Sequence, residues 1–354
     1  MKKTILLIDA YAQIYRGFYA LPPMNNSKGV YTNAIFAFSR FLLNLEKNYS
    51  PEFGAVVFDL GKCKARLDVL PEYKANRAPM PDELRSQLPF IREVVEAFGY
   101  PLLEHEGSEA DDLIGALAKY FTDYEVKIIS SDKDIAQVID DRIEMLIPGR
   151  KGGGFDKRGV DEVFAKFAVS PDQIVDYLSL IGDSSDNIPG IAGVGPKTAA
   201  MLIDKCGTIR AMLDNPDLIE KEKLRNKIID GSEILKKNIK LITLDTALPD
   251  ESWQSEKNIT KKEPAWEKIA NIAEELELRG FLKDLKEYCE SNDLAISEAT
   301  STSKTSSEPE IPAIEDEDDL FFQKPPSPTP IKKSKKEPEQ SNDKSGKLYT
   351  PDLF

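Results

Sequence analysis

Residues 1–170 predict an α/β fold built on a parallel sheet, and three observations carry that reading. Short apolar runs of strand type occur at TILLI (4–8), AVVF (55–58) and VKIIS (126–130). Helix-patterned stretches, AIFAFSRFLLNLEK and PFIREVVEAFG, lie between them. Each run ends at or just before aspartates: Asp9, then Asp59, then Asp132 with Asp134. Strand alternating with helix gives parallel strands joined by crossovers, with helices covering both faces of the sheet. Ligands of such sheets bind beyond the carboxyl ends of the strands, which is where these acids fall.

The first run has only Ile5 to Ile8 as an apolar centre before Asp9, too short for a secretion signal. After the second strand, SEADD (108–112) heads the apolar run LIGALAKYF. Ser108 is expected to cap a helix there, with acidic side chains complementing the positive end of its dipole. One or two acids would serve that role, so the surplus points to a positive partner above the helix. From about residue 171 the pattern turns helical, through PDQIVDYLSLIG and, after a Gly- and Pro-rich turn, PKTAAMLIDKCG, to about residue 290. Residues 291–354 are rich in Ser, Pro, Lys and Glu and poor in apolar side chains. They are expected to be a disordered tail, because they bury too little surface to offset chain entropy. Three parts follow: 1–170, 171–290 and 291–354.

Composition excludes several chemistries. The one histidine, His105, cannot build a serine or cysteine triad or most zinc hydrolase centres. Hydrolysis would have to rest on carboxylates and hard cations. Cys63, Cys206 and Cys289 are scattered in no metal-binding spacing, which fits reduced thiols in a cytoplasm. No run is long enough to span a bilayer. With 47 basic against 61 acidic residues, the chain is not coated with cations, although a basic stripe facing an acidic site remains compatible with that balance.

The acids Asp9, Asp59, Glu109, Asp111, Asp112, Asp132, Asp134, Asp183 and Asp186 form the candidate site. Left bare at one sheet edge they would repel one another and hold on to protons. Singly, each reads as a helix cap or turn residue; five acidic clusters in one α/β pattern favour divalent cations, Mg²⁺ or Mn²⁺, bound through oxygen. Two such ions about 4 Å apart can hold a phosphodiester between them, and no histidine base is needed.

Two further stretches suit phosphate. In GVGPKTA (193–199) Gly193 and Gly195 can let backbone amides approach an anion while Pro196 opens a helix; an ordinary helix–helix turn is the alternative. In EYKANRAPMPDELR (72–85) Lys74 and Arg77 share a face if the segment is helical; a solvated charged loop is the alternative.

FDLGKCKARLDVLPEYKANRAPMPDEL, SEADDLIG, SSDKDIAQ and LIGDSSDNIPGIAGVGPKTAA closely resemble the 5′ nuclease domain of bacterial DNA polymerase I and its flap endonuclease relatives, from about residue 3 to about 250. The resemblance implies a PIN-like fold followed by a helical helix-hairpin-helix region, and a magnesium-dependent 5′ nuclease that removes RNA primers and flaps. By the family pattern Asp9, Asp59, Glu109 and Asp111 match the tighter metal site and Asp132, Asp134, Asp183 and Asp186 the second, with Asp112 between them or outside. Asp9, Asp59 and Asp134 are thereby expected to be catalytic. It further implies an arch in which Lys74 and Arg77 contact the scissile phosphate and Tyr73 stacks on a base. Arg16 and Arg66 match substrate-binding basic positions. Gly193, Gly195, Lys197 and Thr198 match the duplex-gripping hairpin, often with a monovalent cation such as K⁺. Ala10 and Ser131 stand where the family usually has glycine, and neither removes a ligand. The basic loop GRKGGGFDKR (149–158) is longer than the usual segment.

No polymerase sequence follows, so a stand-alone monomeric nuclease serving a separate DNA polymerase on flaps, nicks and RNA primers is expected. In the tail, Asp-Leu-Phe occurs at 319–321 and 352–354. It resembles the end of the peptide by which replication proteins bind the sliding clamp. A PIN-type ribonuclease, which would not need the hairpin or arch, and a non-catalytic DNA-binding module are the competing readings.

Overall fold

The computed structural model describes residues 3–149 and 154–295. In chain order the elements are β1 (Thr4–Asp9), α1 (Ala10–Ala20), α2 (Asn33–Tyr49), β2 (Phe53–Val57), α3 (Lys64–Val69), α4 (Asp82–Arg85), α5 (Leu88–Ala97), β3 (Leu102–Leu103), α6 (Ala110–Tyr120), β4 (Glu125–Ile129), β5 (Ile143–Pro148), β6 (Phe155–Arg158), α7 (Val160–Phe167) and α8 (Ile174–Ile181). The hairpin strands β7 (Gly182–Asp183) and β8 (Ile188–Pro189) follow, then α9 (Pro196–Cys206), α10 (Ile209–Asp214), α11 (Glu222–Asp230), α12 (Ser232–Ile242), α13 (Trp266–Glu275) and α14 (Arg279–Ser291).

The three expected strands form, as β1, β2 and β4. The main sheet runs in the order β3-β2-β1-β4-β5-β6, parallel throughout except that β6 is antiparallel to β5. The chain builds outward from β1 through β2 to β3, then crosses by α6 to start again on the other side of β1. The carboxyl end of β1 is therefore the switch point where such sheets leave a crevice. Successive side chains of a strand face opposite sides, and here both sides are covered. Ile5, Leu7, Val57, Val126 and Ile128 join one core with α6 and the helices from α8 to α12. Leu6, Ile8, Val56 and Ile129 join the other with α1, α2 and α5. Ile269 and Ala273 of α13 and Phe281 and Leu285 of α14 lie in that second core too, so the end of the helical region returns to the opposite face.

The segment 149–158 was expected to be a loop; its last four residues are instead the edge strand β6, because Phe155 packs on Phe41 and Tyr49. Arg150 to Gly153, the whole tail from residue 296 and both Asp-Leu-Phe triplets lie outside the described residues.

Candidate active site

The strands deliver their acids to one edge. Asp9 ends β1 and caps α1, accepting from the Ala12 N–H at 3.1 Å, while Ser130 Oγ, just past β4, donates to its other oxygen at 2.9 Å. Asp59, two residues past β2, accepts the Ala110 N–H at the head of α6 at 2.8 Å. Around α6 the carboxylates of Glu109, Asp111 and Asp112 come within 4.8 Å of one another, and Asp134, Asp183 and Asp186 form a second such group. Asp183 and Asp186 sit on the β7–β8 hairpin, and Asp132 accepts the Asp134 N–H at 2.9 Å. The nine acids named from the sequence are thus neighbours. Ser108 does not cap α6; it pairs with His105 at 3.1 Å. Glu109 is the N-cap residue, and the first amides are taken by Asp59 and Asp111.

Four cations, Arg66, Lys74, Arg77 and Lys133, are paired with acids of this set, leaving negative charge in excess. Burial, reinforced by Asp59, pushes the Asp9 carboxyl up to about 7. Burial and the neighbouring acids also raise Asp111 and Asp134 well above the usual carboxylate range. Burial raises Asp132 as well, with Asp186 and Asp183 adding to it. At Asp183 burial works upward too, but the Lys133 ammonium at 3.0 Å and the Ser185 hydroxyl outweigh it and hold the group low. Asp134 Oδ1 is buried without a hydrogen-bond partner. A buried oxygen with no donor costs free energy unless something positive meets it, and hard oxygen donors in excess of nearby cations suit a divalent ion.

A pH dependence follows. Asp9 belongs near 4 in the unfolded chain and is raised to about 7 in the fold, so between these values the native state binds the extra proton. That contribution is full below pH 4 and is lost as pH rises toward 7. The melting temperature in chelator should fall over that interval more than in excess Mg²⁺, since ion binding displaces the same protons. Thermal melts at pH 5 and 7.5 check it; an Mg²⁺ increment that does not grow with pH contradicts it.

Two expected DNA contacts are corrected. Arg66 is buried, its guanidinium bridging Glu109 (2.7 Å) and Asp112 (2.7 and 2.8 Å) and donating to the Leu241 carbonyl at 3.0 Å, so it does not face a strand of DNA. It is the positive partner that the SEADD surplus called for. Tyr73 is buried as well; its hydroxyl donates to Glu109 and Asp186 at 3.0 and 3.1 Å, and its ring is not available for stacking. Lys74 and Arg77 lie in a turn, not a helix, yet both reach the site: Lys74 Nζ is 2.7 Å from Glu109 and Arg77 is paired with Asp186. Arg16 is half-buried and donates to the Gly149 carbonyl at 3.2 Å. Ser130 and Lys133 were not singled out from sequence; their place within SSDKD beside the expected ligands was the available signal.

At the hairpin, Gly193 has φ of +78°, Gly195 is the N-cap of α9, Pro196 is its first residue, and Lys197 is exposed with Thr198 beside it. The amide end of α9 is open to an anion.

A PIN-like sheet that gathers this many acids at its switch point, in a chain that also carries a helix end open to phosphate, is that of a nuclease. Residues 4–167 match the 5′-3′ exonuclease N-terminal resolvase-like domain and residues 169–267 the 5′-3′ exonuclease C-terminal SAM fold, and the chain belongs to the 5′-3′ exonuclease family. A 5′-3′ exonuclease of Aquifex aeolicus is 39% identical over 285 residues, 80% of this chain and 95% of that one. DNA polymerase I of Bacillus caldotenax is 35% identical over 294 residues, which are 81% of this chain but 33% of the polymerase. Among solved structures the fold is similar to the flap endonuclease of bacteriophage T5 in a complex with DNA and metal ions, with a TM-score of 0.57 at 24% identity over 81% of this chain and 100% of that one. It is also similar to the catalytic core of Rad2 in complex with DNA substrate, with a TM-score of 0.55 at 15% identity over 80% and 93%. No described helix is long and apolar enough to cross a membrane.

Proposed function

We propose that this nuclease is a magnesium-dependent, structure-selective 5′ exonuclease and flap endonuclease that removes RNA primers and flaps in DNA replication and repair. The observation that carries the reading is the presence of two groups of three carboxylates, Glu109 with Asp111 and Asp112, and Asp134 with Asp183 and Asp186, the second with the unsatisfied Asp134 oxygen. Asp9, Asp59, Glu109 and Asp111 would hold one ion; Asp132, Asp134, Asp183 and Asp186 would hold the other, with Mn²⁺ able to substitute. Bound there, the two ions would supply an acidified water and charge stabilisation on a phosphodiester. Asp112 would stand between the two sets or outside them, where Arg66 and the Asp245 N–H hold it.

Lys74 and Arg77 set two positive charges at the mouth of the acid cluster, and the scissile phosphate would be met there. The hairpin at Gly193 and Gly195, with Lys197 and Thr198, would grip duplex phosphates some distance away, and Arg16 would add charge at the substrate edge. Lys74→Ala is expected to lower kcat by about a hundredfold or more, as loss of one charge-stabilising donor does, with duplex affinity changed less than about threefold. Single-turnover cleavage of a labelled 5′ flap in Mg²⁺, beside single-stranded RNA and a chelator control, reads this out. Equal loss of binding and turnover would remove Lys74 from the reacting centre, and preference for single-stranded RNA would replace the flap reading with a ribonuclease. The protein would act as a monomer alongside a separate polymerase, with the Asp-Leu-Phe triplets offered to a sliding clamp.

A further inference from the structure

We propose that Asn76 and Asn187 form a clasp that holds the Lys74 turn on the β7–β8 hairpin, so that the ammonium and the acids of that hairpin are placed as one unit; this rests on Lys74 meeting the scissile phosphate as proposed above. The leading observation is in the backbone. Lys74 has φ of +56°, a left-handed conformation that a side chain with a Cβ disfavours. Such a residue stays there only where its surroundings over-determine it, and here it is the residue whose ammonium reaches Glu109.

The loop between β7 and β8 imposes that conformation. The Lys74 N–H donates to the Asp186 carbonyl at 3.0 Å. On one side of it Asn187 Nδ2 donates to the Glu72 carbonyl at 2.8 Å, and on the other Asn76 Nδ2 donates to the Ser184 carbonyl at 2.6 Å. Each loop thus lends a side-chain amide to the backbone of the other. An ionised carboxylate of the same size could not, because it only accepts. Asn187 itself has φ of +60°, which asparagine adopts more readily than most residues.

The hairpin is a firm mount for the turn. Gly182 has φ of +77°, and a Cβ there would fall 2.3 Å from the Gly190 nitrogen, so the base of the hairpin closes backbone on backbone. The buried Asn238 of α12 donates to the Pro189 carbonyl at 2.7 Å and to the Ser179 carbonyl at 2.9 Å, fixing β8 to the end of α8. The turn has no such support of its own. Tyr73 is buried and anchors its start, but Ala75 to Pro79 are exposed, and beyond Tyr73 the clasp fixes the path of the backbone. Asn76 and Asn187 are positioning residues that act on the reaction through Lys74.

The test uses Asn76→Ala and Asn187→Gly in the full chain, the second keeping the left-handed backbone accessible. In chelator, amide hydrogen exchange at Lys74 should be about tenfold faster in both, with the melting temperature within about 3 °C of wild type. Single-turnover cleavage of a labelled 5′ flap in Mg²⁺ should slow by about tenfold, the cost of a displaced group, with flap affinity within about threefold. In the Lys74→Ala background the same two changes should cost less than about threefold, because the group they place is gone. A tenfold loss repeated in that background, wild-type cleavage rates, or unchanged exchange at Lys74 would each overturn the clasp. Should Asn187→Gly melt lower, Asn76→Ala decides the outcome from the exposed side. Lys74→Ala alone separates the underlying reading: if it cleaves as wild type does, Lys74 is not at the reacting centre and the proposal falls with it.

Discussion

Arg66→Ala is expected to destabilise the fold by about 3 to 5 kcal/mol, the cost of breaking a buried ion pair from one side. The guanidinium is buried, with 7% of its side chain exposed, and it serves two carboxylates that are 9% and 5% exposed. Removing it strands Glu109 and Asp112 beside Asp111, whose carboxyl is already pushed up by burial and by those two neighbours. It also frees the Leu241 carbonyl, and with it the tie between α3 and the end of α12. Arg66→Lys should recover less than half of the loss, because one ammonium cannot span the fork that contacts three groups. Urea unfolding in chelator measures both variants. A loss below about 1 kcal/mol, the range of exposed ion pairs, would return Arg66 to the role of a surface DNA ligand that the family resemblance implies.

Asp134→Asn should act in the opposite sense on the two properties. Its carboxyl is buried, faces Asp132, Asp183 and Asp186, and leaves one oxygen without a donor, so its charge strains the metal-free fold. Asparagine has nearly the same shape, carries no charge and brings an N–H₂ to the surrounding acids. The melting temperature in chelator should therefore not fall, and at pH 8 it should rise. Turnover should drop by about a thousandfold, with flap affinity within about threefold of wild type, since the acid is wanted only once cation and phosphate are present. Melts in chelator with single-turnover cleavage in Mg²⁺ decide it. A variant that cleaves normally takes Asp134 out of the site; one that melts lower makes it a structural group.

Much of this site was legible because parallel strands end at one edge. Asp9, Asp59, Asp132 and Asp134 could be placed together from three apolar runs and the alternation of helices between them. Asp183 and Asp186, on a different part of the chain, stood out only as one more acidic loop cluster and took their place in the second metal site from motif resemblance, since no local pattern says that the β7–β8 hairpin folds over that edge. Arg66 and Tyr73 were misread for a related reason. Their sequence neighbourhood is basic and polar like a surface arch, whereas their burial is created by α6 and α12, whose residues Glu109 and Leu241 lie 43 and 175 positions away from Arg66. Ser108 lost its cap role to Glu109 because the carboxylates themselves satisfy the first amides of α6. The strand β3 has two residues and no signal of its own, and β6 looked like a loop because it pairs at an edge with polar side chains. The return of α13 and α14 to the far face depends on contacts with α2 and α5 that no short-range pattern encodes.

Under the proposed function these acids would hold two divalent ions in one pocket. Anomalous diffraction from crystals of the wild-type protein grown with Mn²⁺ and a nicked or flapped duplex tests it most directly. Two peaks about 4 Å apart are predicted, one against Glu109 and Asp111 and one against Asp134, Asp183 and Asp186. A pocket without manganese, or manganese bound only at acids on other surfaces, would contradict it.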